Sequence, residues 1–138
     1  MAARDGTPIQ SEAPMLAKIQ SFLTMFELEL DDLHQDVELL IAQYTIDHDR
    51  EAISNYVFYE NLSLMRNELF GIDSFRTEVR NISPVNYNDV YELVEDLKRR
   101  LLQRCHDKGI AAAAYILAER KMNKIISYIE KETPVTLV

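Results

Sequence analysis

The sequence has little cysteine, glycine or proline and no long hydrophobic run. Its 138 residues include one Cys, three Gly and four Pro. One cysteine cannot form an internal disulfide, and a lone thiol is typical of a reducing compartment. The longest apolar run, 110–118, is far shorter than the ~20 residues that span a bilayer, and residues 1–8 show no secretion-signal pattern. We therefore expect a cytoplasmic protein without a membrane partner.

Positive charge is also scarce. The chain has 15 Lys and Arg against 23 Asp and Glu, a formal net charge of −8. Because Lys and Arg supply most of the affinity for nucleic acid, the composition predicts no nucleic-acid partner. The excess of acid lies in residues 1–69, with four basic and thirteen acidic residues, whereas residues 70–138 hold eleven and ten. We expect the acidic half to face the basic half or a partner.

What the sequence does contain is an unbroken heptad pattern in its first third. Apolar residues recur there at alternating spacings of three and four, which predicts a helix from about Met15 to Thr45 that buries one stripe. Its flanks are acidic, so a parallel pair of such helices would repel, and we expect a helix of a bundle instead. The stripe consists of Leu16, Ile19, Leu23, Phe26, Leu30, Leu33, Val37, Leu40 and Tyr44.

Capping and breaking residues predict the next two helices. Asp49 is expected to cap a second helix, which runs to Phe70 and ends at Gly71. The segment before this helix lacks Gly and Pro, so a kinked continuous helix stays an alternative. A short third helix is predicted from Phe75 to about Asn81, before a proline-containing loop.

Two further helices complete the prediction. The fourth begins at Asn86, with Asp89 three residues on, or at Asn88, and it ends near His106, with Gly109 as its stop. The fifth opens at Ile110 and ends at Thr133. Their basic residues are the expected neighbours of the acidic first helix. No alternating strand pattern is present. The fold class predicted is all-α, an antiparallel bundle of four long helices plus one short helix.

This bundle is predicted to occupy most of the chain as one domain. Residues 14–133 form the helical domain, residues 1–13 are expected to be a mobile leader, and residues 134–138 are expected to be a tail.

The sequence shows no pattern that indicates catalysis. Cys105 ends an apolar stripe, and no His–Asp or His–Asn arrangement is present to activate it. We expect no enzyme and no cofactor. The leading hypothesis is a regulatory, adaptor or chaperone-like module that acts through protein–protein interaction, as a homodimer or with another protein. The expected interface residues are Phe22, Tyr56, Tyr59, Phe70, Phe75, Leu137 and Val138.

One polar cluster supports an alternative function. Asp31 and His34 stand three residues apart, with Glu27 and Glu38 four residues to either side. This spacing resembles the carboxylate-x-x-His element of di-iron bundle proteins, which use two such elements. Neither of the other histidines follows a carboxylate at that spacing, so the second element is missing. A second alternative is a small-molecule sensor bundle whose aromatic residues line a cavity.

Overall fold

Four α-helices build most of the computed structural model, which describes residues 13–132. The bounds are α1, Ala13–Asp49; α2, Asn55–Arg80; α3, Val90–Lys108; and α4, Ala112–Glu132. One turn of 3-10 helix, Pro84–Asn86, lies between α2 and α3. The described residues contain no strand. The predicted all-α bundle of four long helices is confirmed.

Contacts across the helices show that α1 and α2 run antiparallel. Glu27, in the first half of α1, forms an ion pair with Arg80 at the end of α2. At the other end of the pair, His48 of α1 stacks on Phe58, near the start of α2. Each of the four helices also packs against all three others, so the bundle shares one core.

The heptad stripe of α1 forms the centre of this core. Ile19, Phe26 and Leu30 have no exposed surface, and Val37 is 4% exposed. Burying an apolar side chain of this size contributes ~1.5–3 kcal/mol, so the stripe holds α1 firmly against the other helices. The heptad prediction is confirmed from Ile19 to Val37. It is wrong for Leu40, which is 52% exposed.

Gly71 does not end a helix. The second helix continues through it to Arg80, so the predicted stop after Phe70 and the separate short helix at 75–81 are wrong. The apolar stripe continues past the glycine, because Ile72 and Phe75 both lie in the core. Tertiary burial of this stripe outweighs the ~1 kcal/mol cost of glycine within a helix.

The glycine instead lets α4 approach α2 closely. A Cβ atom at Gly71 would lie 2.6 Å from Cγ2 of Ile110 and 3.0 Å from Cβ of Ala114. The first distance is shorter than non-bonded carbon atoms allow, so the Ile110 side chain would have to shift. Only a residue without a side chain fits where the start of α4 crosses α2.

The connection between α1 and α2 also differs from the prediction. Helix α1 extends to Asp49 instead of Thr45, and a loop separates the two helices, so they are not one kinked helix. The cap of α2 is Ser54 and not Asp49: the Ser54 hydroxyl accepts a hydrogen bond from the backbone N–H of Val57 at 3.2 Å.

The ends of α3 follow the sequence closely. Asp89, one residue after the predicted start at Asn88, caps the helix and accepts a hydrogen bond from the N–H of Glu92 at 2.8 Å. Gly109 follows the last helical residue in the left-handed conformation with φ 66°, which favours glycine. Helix α4 then begins at Ala112, two residues later than the predicted start at Ile110.

The ends of the chain lie outside the described residues. The predicted leader, 1–13, is outside except for Ala13, which begins α1, and the tail, 134–138, is entirely outside. Between residues 13 and 132, no helix combines the length and the apolar character that a membrane crossing requires.

Candidate interaction surface

The turn between α3 and α4 reaches only part of the way along α2. The side-chain amide of Asn67 donates a hydrogen bond to the carbonyl oxygen of Gly109 at 3.0 Å and accepts one from the N–H of Ala111 at 2.7 Å. These two bonds fix the turn at the level of Asn67. Since α2 begins at Asn55, its first three turns extend beyond α3 and α4.

Helix α1 accompanies α2 along this extension. The rings of His48 and Phe58 are stacked, with centroids 4.1 Å apart and planes 7° apart, and Nε2 of His48 lies 2.6 Å from Oδ1 of Asn55. Residues 40–49 of α1 thus lie beside residues 55–66 of α2. We call these two segments the projecting hairpin, which extends ~18 Å at 1.5 Å per residue.

The core-facing stripes of both helices continue onto the projecting hairpin, where α3 and α4 do not cover them. On α1 the stripe continues through Leu40 and Tyr44. On α2, Leu64 and Val57 lie on the same face as the buried Ile72, because residues spaced three or four apart share one face of a helix. The exposed fractions are 52% for Leu40, 54% for Leu64 and 40% for Val57. We call this surface the inner groove. Its residues are Leu40, Tyr44, Val57, Asn61 and Leu64 of the hairpin, and Glu68, one turn after Leu64 on α2, at its inner end.

A second apolar surface lies on the outer side of α2. Tyr56 and Tyr59 are 77% and 61% exposed, and together with Asn55 and Glu60 they line an open depression of about 510 Å³. Phe70, further along the helix, is 49% exposed. The three predicted interface residues of this surface are accessible to a partner. The depression is open to solvent, unlike the enclosed cavity that the sensor alternative requires.

The other predicted interface residues are not accessible in this way. Phe22 and Phe75 have no exposed surface, so both belong to the core. Phe22 lies seven residues before Glu29, on the face of α1 that α4 covers through Lys121. Phe75 is buried because α2 continues through Gly71 and carries it onto the core stripe. Leu137 and Val138 lie outside the described residues.

Sequence reasoning missed the inner groove. It assigned Leu40 to the buried stripe and gave no role to Val57 or Leu64. One signal could have revealed the groove: α1 and α2 have 37 and 26 residues, whereas α3 and α4 have 19 and 21. Helices of unequal length cannot cover one another along their whole length.

The surroundings of the inner groove are acidic. Residues 36–68 contain seven Asp or Glu and two Lys or Arg. Asp36 and Asp47 lie four residues before and seven residues after Leu40, on the same side of α1.

Glu68 lies within the groove itself and is half-buried. Burial raises the pKa of its carboxyl group, and among residues 13–132 it has no hydrogen-bond or ion-pair partner. The cost of removing this carboxylate from water is therefore not offset by any described residue of the chain.

Two of the four candidate metal ligands form ion pairs between α1 and α2. Oε1 of Glu27 lies 2.8 Å from Nε of Arg80, and Oδ1 of Asp31 lies 2.8 Å from Nη2 of Arg76. Each carboxylate thus already faces a guanidinium group, which would repel a metal cation.

The other two candidates lie next to each other but do not complete a metal site. Nδ1 of His34 is 3.1 Å from Oε1 of Glu38, and its Nε2 is 3.3 Å from Oδ1 of Asp73. No group of three or more His, Cys, Asp or Glu residues in the described part of the chain could hold a metal ion. The geometry does not support the di-iron-like alternative.

The expected contact between the acidic first helix and the basic last helices is present in part. Nζ of Lys121 lies 3.3 Å from Oε1 of Glu29 on α1, and Nζ of Lys124 lies 3.1 Å from Oε2 of the same carboxylate. Arg100 and Arg104 of α3, by contrast, bind Glu78 of α2. The bundle thus uses these cations internally, on the side away from the projecting hairpin.

Cys105 has the environment of a structural residue. Its side chain is partly buried and packs against the core, and burial raises the pKa of the thiol. A higher pKa lowers the fraction of thiolate, which is the nucleophilic form. The geometry therefore offers no activated nucleophile at this cysteine.

Comparison with known proteins gives no guide to the function of this surface: no protein-family model, curated protein or solved structure matches the chain.

Proposed function

We propose that this chain is a non-enzymatic protein-interaction module, with a regulatory, adaptor or chaperone-like role, that binds its partner through the projecting hairpin. The observation that carries the proposal is the apolar surface that two helices expose beyond the end of the other two. The homodimer expected from the sequence stays a prediction, and the partner is either a second copy or another protein.

Exposed apolar side chains are concentrated in the projecting hairpin. Six of the fourteen large apolar residues that are at least 40% exposed lie within its two segments, which make up less than a fifth of the described chain. Exposed apolar side chains concentrated in one region are typical of interaction sites, and tyrosine is enriched among residues that dominate binding energy. The six are Leu40, Ile46, Tyr56, Val57, Tyr59 and Leu64.

Site-specific photo-crosslinking in cells tests this proposal. A photoreactive phenylalanine analogue replaces Leu64, 54% exposed on the projecting hairpin, or Leu102, 50% exposed on α3. We expect a covalent adduct of defined mass from position 64 and none from position 102. An adduct of twice the chain mass indicates a second copy, and any other mass indicates a different protein.

The control is matched in residue type and in exposure, so it separates a specific surface from random collision. The absence of an adduct from position 64, or the same adducts from both positions, would contradict the proposal. Light scattering on the purified chain then reports whether it forms a dimer without another protein.

A further inference from the structure

The shape of the inner groove indicates that a helix fills it. Two antiparallel helices present parallel apolar stripes, and in the rest of the bundle the same stripes are covered by α3 and α4. The groove is an extension of that core, so another helix can pack into it by the same ridge-and-groove rules. Its length of ~18 Å matches three turns of α-helix.

The charges around the inner groove indicate which kind of helix fits. Asp36 and Asp47 flank the apolar stripe of α1, and the unpaired carboxylate of Glu68 lies at the inner end of the groove. Two copies of this surface would bring these carboxylates face to face, which like-charge repulsion disfavours. A helix with Lys or Arg beside its apolar stripe would instead pair with them.

We propose that the inner groove binds an amphipathic helix of another protein, with Lys or Arg flanking about three turns of apolar stripe. Leucine-sized side chains of that helix pack on Leu40, Val57 and Leu64, and one of its cations pairs with Glu68. This inference rests on the proposed function, because it names the class of partner that the projecting hairpin receives.

Two designed peptides of about 18 residues test the proposal. Both carry the same leucine stripe at heptad spacing, and the flanking positions are Lys in one and Glu in the other. Fluorescence anisotropy with the full chain should show that the Lys peptide binds at least about tenfold more tightly. The preference should decrease as the salt concentration rises.

Groove variants show where the peptide binds. The double substitution Leu40→Gln with Leu64→Gln should weaken binding of the Lys peptide at least about tenfold. Leu39→Gln is the matched control, because Leu39 is 69% exposed but points away from the groove, and it should leave binding unchanged. All three side chains are exposed, and circular dichroism confirms that the variants keep their helices.

Glu68→Gln tests the charge pairing. It should weaken binding of the Lys peptide several-fold and leave any binding of the Glu peptide unchanged or stronger, since the peptide cation loses its carboxylate partner. Asp32→Asn, an exposed acid of α1 outside the groove, should have no effect on either peptide.

The outcomes separate this inference from the proposed function. Equal affinity for the two peptides, or binding that the groove variants do not weaken, would overturn the inference. A second outcome is that neither peptide binds, and that the chain forms a dimer which dissociates in the Leu40→Gln, Leu64→Gln variant. This would show that a second copy fills the groove. It would overturn the inference and support the proposed function. If neither peptide binds, the chain is a monomer and position 64 forms no adduct, both are wrong.

Discussion

At the scale of single residues, burial determines how much each ion pair contributes. The Glu78 side chain is 13% exposed and accepts hydrogen bonds from Nη1 of Arg100 at 3.0 Å and from Nε of Arg104 at 2.6 Å. The Glu27 side chain is 34% exposed and has one partner, Arg80, which is itself 55% exposed. Water screens the second pair far more than the first.

We expect Glu78→Gln to destabilise the protein by about 1–3 kcal/mol at neutral pH, because two arginines lose a charged acceptor in a partly buried site. Glu27→Gln is the matched control and should cost at most about 1 kcal/mol. Urea unfolding at equilibrium measures both values. A larger loss of stability for Glu27→Gln than for Glu78→Gln would contradict the conclusion that the more buried ion pair contributes more.

The effect of Glu78→Gln should also depend on pH. Burial alone would raise the pKa of Glu78, but the hydrogen bonds and charges of Arg104 and Arg100 outweigh it and lower that pKa below the ordinary value of 4.5. The stabilisation is thus present above the unfolded-state pKa and is lost as pH falls through the lower folded-state pKa. The difference between wild type and variant should shrink in acid, and a difference independent of pH would show that the charge is not its cause.

At the scale of the helices, sequence signals predicted ends where the cap chemistry is local. Asp89 and Gly109 act through their own neighbours in sequence: Gly109 ends α3 as predicted, and Asp89 caps it one residue after Asn88, one of the two predicted starts. The loop after α1 contains several residues that can cap a helix, and the prediction of Asp49 was wrong because Ser54, five residues later, caps α2. Gly71 was misjudged because glycine is common after a helix, whereas its role here depends on Ile110, 39 residues away.

Gly71→Ala should destabilise the protein although alanine is the better helix former. The gain in helix propensity is ~1 kcal/mol, but a methyl group 2.6 Å from Cγ2 of Ile110 must push α4 away from α2, and overpacking of this kind costs about 1–3 kcal/mol. Thermal or urea unfolding measures the net loss. Ser63→Ala, at an exposed position of the same helix, should change stability by no more than about 0.5 kcal/mol.

A stable Gly71→Ala variant would show that α4 can move aside without cost. A second substitution checks the proposed cause: Ile110→Ala removes the clashing methyl, so the cost of Gly71→Ala should be smaller in that background than in the wild type.

At the scale of the whole molecule, the sequence predicted the fold class but not the extent of the bundle. The heptad spacing from Ile19 to Val37 fixes a buried stripe, because any helix with that pattern must cover it. Whether Leu40 is covered depends on where the turn between α3 and α4 meets α2, and this is set by hydrogen bonds of Asn67 that no local pattern indicates. The candidate surface could therefore be inferred only from the assembled helices.

The projecting hairpin should open locally more easily than the rest of the bundle. Its two helices cover each other only on one side, mainly through Phe58 and Leu62, which are 7% and 8% exposed and lie outside the main core cluster. The free energy of local opening increases with the number of apolar contacts that the opening breaks. Hydrogen exchange should show protection factors at least about tenfold lower for amides of 40–49 and 55–66 than for amides of 93–101 in α3.

The same experiment connects this opening to binding. A helix in the inner groove would complete the cover of the projecting hairpin, and a ligand that binds only the folded form raises the free energy of opening with the logarithm of its concentration over Kd. Saturating Lys peptide should therefore slow exchange within 40–49 and 55–66 and leave 93–101 unchanged, whereas Leu40→Gln with Leu64→Gln should abolish the added protection. Uniform protection of the free chain would mean that the hairpin unfolds only together with the bundle, and that two helices suffice to hold it.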